Sequence, residues 1–187
     1  MTTARPMRAD ARRNHERIVT AAREAFAEHG PGAPLDDIAR RAGVGAGTLY
    51  RHFAGREALI EAVYRADVER LNLRAGELAG ELQPLDALAG WLREQVGYVI
   101  HNRGLGAALK AAIDQDSETY ALCKRLMRDA AAAVLVPAQE AGLVRSDLEP
   151  RDLLLLGHGL GVAAEASPDA FERLLSVTVA GLRPPSP

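Results

Sequence analysis

The stretch from Leu35 to Phe53, LDDIARRAGVGAGTLYRHF, leaves the chain little choice of local structure. Leu35, Ile38, Ala39 and Ala42 fall at i, i+3, i+4 and i+7, a single apolar stripe on a helix. Gly43 ends that helix, because only glycine enters the left-handed C-terminal cap without a Cβ penalty. Val44 then turns back as a plug, and Gly45-Ala46 opens a second short helix whose Leu49 and Phe53 face inward one turn apart. Gly47 and Arg51 are left on its opposite face, with Thr48, Tyr50 and His52 on the flanks. Two short helices joined by a tight glycine turn predict a helix-turn-helix, a unit whose second helix fits the DNA major groove.

The residue types suit that use. Thr48, Tyr50 and His52 supply hydrogen-bonding groups for phosphates, and the planar fork of Arg51 matches guanine O6 and N7. Gly45, Ala46 and Gly47 are small enough to let the backbone approach base edges. With Phe26-Ala-Glu-His-Gly30 before it and Arg56-Glu-Ala-Leu59 after it, the stretch closely resembles the DNA-binding domain of tetracycline-repressor (TetR) family regulators, over roughly residues 12 to 66. The run AGVGAGTLYRHF is the specific part of the match. Pro34, Gly45 and Gly55 stand where that family usually has Thr or Ser caps. Glycine costs only a few tenths of a kcal/mol as a cap and proline suits a first turn, so the helices are expected to survive. Arg56 replaces the family's usual Lys at a helix start and is expected to contact phosphate.

A chain of 187 residues can hold a real core, and its Ala- and Leu-rich composition with few aromatics points to an all-α protein of about nine helices. The net charge of −2 alone would not suggest a DNA binder, but the distribution does. Residues 1–59 carry ten Arg against seven Asp or Glu, whereas the remainder carries thirteen basic against eighteen acidic residues. A basic head on an acidic body confines phosphate attraction to one end. Cys123 is the only cysteine, which rules out an intramolecular disulfide and fits a reducing cytoplasm. No apolar leader opens the chain, and the longest apolar run, Leu153 to Ala164, is too short to span a bilayer, so a soluble, cytoplasmic protein without membrane contact is expected.

Three regions follow: a flexible arm over 1–10, the helix-turn-helix domain over 11–55, and a larger ligand-binding and dimerisation domain over 56–187. The first helix is expected from about Ala11 to His29, and a fourth from Arg56 to about Leu78, running from head into body. Leu85 to Asn102 follows, then a short segment from Gly104, LGAALKAAI. A long helix from Ser117 to about Ala141 is expected to kink or split at Pro137. The last two helices, near 151–166 and 168–182, are apolar on more than one face, which demands burial on more than one side. One side would face the chain's own core and the other a partner copy, through Leu154, Gly157, His158, Gly161, Leu174 and Val177. The body, with GLVRSDLEP and the closing GLRP, resembles the SbtR-like subgroup of TetR regulators.

No catalytic set emerges. The five histidines are isolated, no metal-ligand spacing is present, and Gly157-His158-Gly159-Leu-Gly161 follows a helical segment rather than a strand, so neither metal nor cofactor is called for. The family resemblance, and not the periodicity, implies an effector cavity, for which Trp91, Gln95, Val99, Leu109, Leu126 and Met127 are the candidate walls. The reading is a homodimeric regulator, a repressor released from a palindromic or pseudo-palindromic double-stranded operator by a small, largely apolar molecule. Its rivals are a helical adaptor without DNA binding and an enzyme on an all-α scaffold.

Overall fold

The computed structural model describes residues 4–102, 108 and 117–184, with side chains from residue 9 onward. Among them are eight α-helices and no strand. They are α1 (Ala4–His29), α2 (Leu35–Arg41), α3 (Ala46–His52), α4 (Arg56–Glu81), α5 (Pro84–His101), α6 (Glu118–Glu140), α7 (Pro150–Ala166) and α8 (Phe171–Gly181). A single 3-10 turn, Pro168–Ala170, leads into α8. The ninth helix expected from Gly104 lies outside the described residues, apart from Ala108.

The chain divides into two compact units, residues 1–66 with 102–117, and residues 67–101 with 118–187. The boundary therefore falls inside α4, rather than before Arg56. The head core is built from Ile18, Ala22 and Phe26 of α1, Ile38 of α2, Leu49 of α3, Phe53, and Leu59, Ile60 and Val63 of α4. Ala108 packs on this core. The body core joins Ala75 and Leu78 of α4 to Leu88, Trp91, Leu92 and Val96 of α5, Val134 and Leu135 of α6, Leu153 and Leu160 of α7, and Leu175 of α8.

Two expectations are corrected. Helix α1 begins at Ala4, so most of the expected arm is helical. Pro6 falls in the first turn, where a missing N–H has no partner to lose. Helix α6 runs through Pro137 to Glu140 as one element, so Pro137, which lies in its last turn, does not split it.

Close approach fixes how α7 lies on α5. Gly157 and Gly161 are buried, one turn apart. A Cβ on Gly157 would run into the Gln95 amide, and one on Gly161 would stand 2.6 Å from the Val99 Cβ. These two glycines, expected at a dimer interface, serve packing within the chain. Gln95 completes the contact by donating from Nε2 to the Leu154 carbonyl at 2.9 Å.

Candidate nucleic-acid interface

The turn between α2 and α3 is set by backbone hydrogen bonds that only a left-handed residue permits. Gly43 has φ +63°. Its N–H donates to the Arg40 carbonyl and the next N–H, that of Val44, reaches back to the Ala39 carbonyl, both at 3.0 Å. This is the paired closure that satisfies the last carbonyls of a helix. Arg17 of α1 lies across the turn, its Nη2 donating to the Gly43 carbonyl at 3.3 Å. The sequence reading missed Arg17, since nothing local links residues 26 positions apart.

Helix α3 starts without a side-chain cap, as Gly45 foretold, and the Thr48 N–H closes onto the Gly45 carbonyl at 2.8 Å. Leu49 and Phe53 are buried and anchor the helix. Gly45, Ala46, Gly47, Tyr50 and Arg51 are exposed, with Thr48 and His52 half-buried beside them. Tyr50 keeps 54% of its surface open, a large ring held out by a buried neighbour. Arg51 Nη2 donates to the Thr48 hydroxyl at 2.9 Å, which holds the guanidinium along the outer face of α3. Small, hydroxyl, phenol and guanidinium groups thus share one exposed helical surface with the short reach needed for base edges and phosphates.

Arg56 has a different setting from the rest. It is half-buried, and its Nη1 donates to the carbonyls of Pro31 at 2.7 Å and Ala33 at 2.6 Å. It therefore fastens the start of α4 to the turn between α1 and α2. A guanidinium has further N–H groups, but the residue's first task in this structure is to pin the head together.

His52 at the end of α3 meets His15 of α1, with ring centroids 6.1 Å apart. Partial burial lowers the His15 pKa from its ordinary 6.5, as do His52 and Arg65, while Glu16 raises it.

The residues expected around an effector are mostly core. Trp91 is fully buried and its indole N–H donates to the Leu71 carbonyl at 3.3 Å. Val99 packs on Gly161, Met127 lines the body core, and Leu126 is half-buried with its carbonyl accepting from Asn72. Leu109 lies outside the described residues. Gln95 differs from these: it is 4% exposed, and its Oε1 has no hydrogen-bond partner among the described residues. Of the expected dimer residues, Leu154 is half-buried on the body core, while His158, Leu174 and Val177 are exposed. The sequence reading missed Leu155, Leu156 and Val162, which share the outer surface of α7 with exposures of 60%, 36% and 51%. Among the described residues no cluster of His, Cys, Asp and Glu is placed to hold a metal, and no helix is long and apolar enough to cross a membrane.

Comparison with known proteins accounts for both units. Residues 18–63 match the family model for bacterial regulatory proteins of the tetR family. Residues 83–184 match that for the SbtR-like transcriptional regulator C-terminal domain. A TetR transcriptional regulator from Streptomyces coelicolor superposes with TM-score 0.78 at 38% identity, covering 92% of this chain and 99% of that one. A TetR regulatory protein from Mycobacterium vanbaalenii gives 0.77 at 36% identity, covering 96% and 100%. The HTH-type transcriptional regulator UidR of Escherichia coli is 28% identical over 173 residues, 89% of this chain and 88% of that protein.

Proposed function

The chain belongs to the TetR family of helix-turn-helix transcriptional regulators, and from that premise we propose that it is a cytoplasmic, homodimeric repressor released from a palindromic operator by a small, largely apolar effector. The observation that carries the reading is the exposed face of α3, where Ala46, Gly47, Tyr50 and Arg51 have a buried anchor beneath them and solvent above. The test is to recover genomic fragments bound by the purified protein. A shared pseudo-palindromic sequence is expected, and enrichment of no sequence would sink the repressor reading.

Dimerisation is supported by the apolar outer surface of α7 and α8. Leu155, Leu156, Val162, Leu174 and Val177 are all exposed, and Val177 keeps 69% of its surface open. A two-fold interface meets its own copy, so one inserted charge acts twice. Val177→Glu is expected to weaken dimerisation by about 10-fold or more, or about 1.4 kcal/mol. Light scattering at micromolar concentration reads it, and an unchanged dimer would move the interface elsewhere.

Effector release is supported by two features. The Gln95 Oε1 is a buried acceptor with no donor among the described residues, which an effector N–H or O–H would supply. Helix α4 contributes to both cores, so a shift of its body end is carried along one helix. A dimer must hold its recognition helices one DNA turn apart, about 34–36 Å or a multiple. A tenfold loss of operator affinity needs about 1.4 kcal/mol of coupling, and operator must weaken the effector by the same factor. Titrating a candidate into free and operator-bound protein tests this, since equal affinities exclude that molecule as an inducer.

A further inference from the structure

Helices α1 and α3 bring two imidazoles together at the edge of the surface assigned to DNA. His15 and His52 lie 6.1 Å apart between centroids, at 62°. The buried Phe53 lies against both, 4.9 Å from His15 and 6.3 Å from His52. His15 is exposed and His52 half-buried, so the pair opens to solvent above an apolar floor. The charged groups bearing on His15 are His52 from α3, Arg65 from α4 and Glu16 from its own helix. Two of those three repel a proton. An anion placed there would be welcomed by the same groups.

We propose that His15 and His52 form a phosphate site in which one backbone phosphate of bound duplex is held between the two imidazoles, so that DNA binding draws a proton onto His15. The inference rests on the reading that α3 faces DNA, because that surface is what brings a phosphodiester within reach. Two charge-assisted hydrogen bonds of about 2.8 Å meeting on one phosphate can bridge rings at this separation. No other residue type is required, and the contact reads no sequence.

The sign of the pH dependence differs between free and bound protein. In the free chain His15 has a pKa below its ordinary 6.5, with partial burial the largest cause and His52 and Arg65 adding to it. The unfolded chain then binds more protons, so stability is present above pH 6.5 and is lost as pH falls through and below that value. On DNA the phosphate favours the imidazolium, and affinity rises as pH falls. Acid loosens the free head and tightens the complex.

The test uses a fluorescein-labelled random duplex of about 30 base pairs at about 25 mM salt, because a phosphate contact is sequence-independent and strongest at low salt. Anisotropy titrations from about pH 8 to about pH 6 compare wild type, His15→Gln, and His29→Gln as a control elsewhere on α1. Wild type and His29→Gln are expected to bind about 10-fold tighter at the lower pH, since each proton taken up contributes at most about 10-fold per pH unit. His15→Gln should match wild type within about twofold at high pH and lose at least half of the gain on a logarithmic scale. If wild type binds at high pH and His15→Gln gains as much on acidification, the histidine site is overturned while DNA binding stands. If wild type binds neither this duplex nor a selected operator at any pH, the DNA reading falls and the site falls with it.

Discussion

A Gly47→Glu protein is expected to lose at least about 100-fold in operator affinity, or about 2.7 kcal/mol, while melting no lower than wild type. Gly47 lies in the first turn of α3, and a Cβ built on it meets nothing within 4 Å. Glutamate is a better helix former than glycine, and a carboxylate near a helix start is favoured by the helix dipole. The fold therefore has no reason to object. On the proposed reading DNA does: the new carboxylate stands on the exposed face beside Tyr50 and Arg51, where like charge would face phosphate in both heads of the proposed dimer. Gly80→Glu, also exposed and open on α4, carries the same change in net charge away from the head. Its affinity should stay within a few-fold of wild type. Equal binding by the two variants, measured by anisotropy on a selected operator, would remove α3 from the interface.

The largest expected effect on stability belongs to Gly161→Leu. A Cβ alone would stand 2.6 Å from Val99 Cβ and 2.7 Å from its Cγ1. Valine is branched at Cβ and stiff at χ1, so it cannot swing aside as a long side chain would. Either α7 separates from α5 or α5 moves, and each disturbs the core around Trp91, Leu92 and Leu160. Overpacking of this kind costs about 3 kcal/mol or more. In a chain of this size that is a drop in Tm of about 6–12 °C, read by circular dichroism. Gly97→Ala on the open side of α5 is the control, with nothing within 4 Å, and should melt at or slightly above wild type. A Gly161→Leu protein melting within about 2 °C of wild type would mean that the α5–α7 contact yields more easily than its geometry implies.

Local patterns made the head legible. The stripe Leu35, Ile38, Ala39 and Ala42 and the glycine that must turn left-handed both act within a few residues, so spacing alone placed α2, the turn and α3. Arg56 was not legible, because the carbonyls that hold it belong to Pro31 and Ala33 and are brought there only by folding. The phase of α7 was not legible either. Leu153 to Leu156 is apolar at every position, and period alone cannot choose which leucine turns inward. The choice is made by Gly157 and Gly161, whose bare backbones let α5 approach. Leu153, Leu160 and Ala164 follow them inward, and Leu155 and Val162 are left outside. Glycines four apart fit a seam between copies equally well by spacing, and in the structure they form a seam within one chain.

The position of the boundary inside α4 bears on how such a protein could be recombined. A hybrid regulator spliced at Gly55 would keep the native recognition helix but discard Leu59, Ile60 and Val63, three residues of the core on which that helix rests. The graft would then depend on whatever the recipient offered in their place. A joint after Ala66 keeps those three residues with the helix they support. A crossover inside α4, after Ala66, should therefore yield a working hybrid more often than one at Gly55.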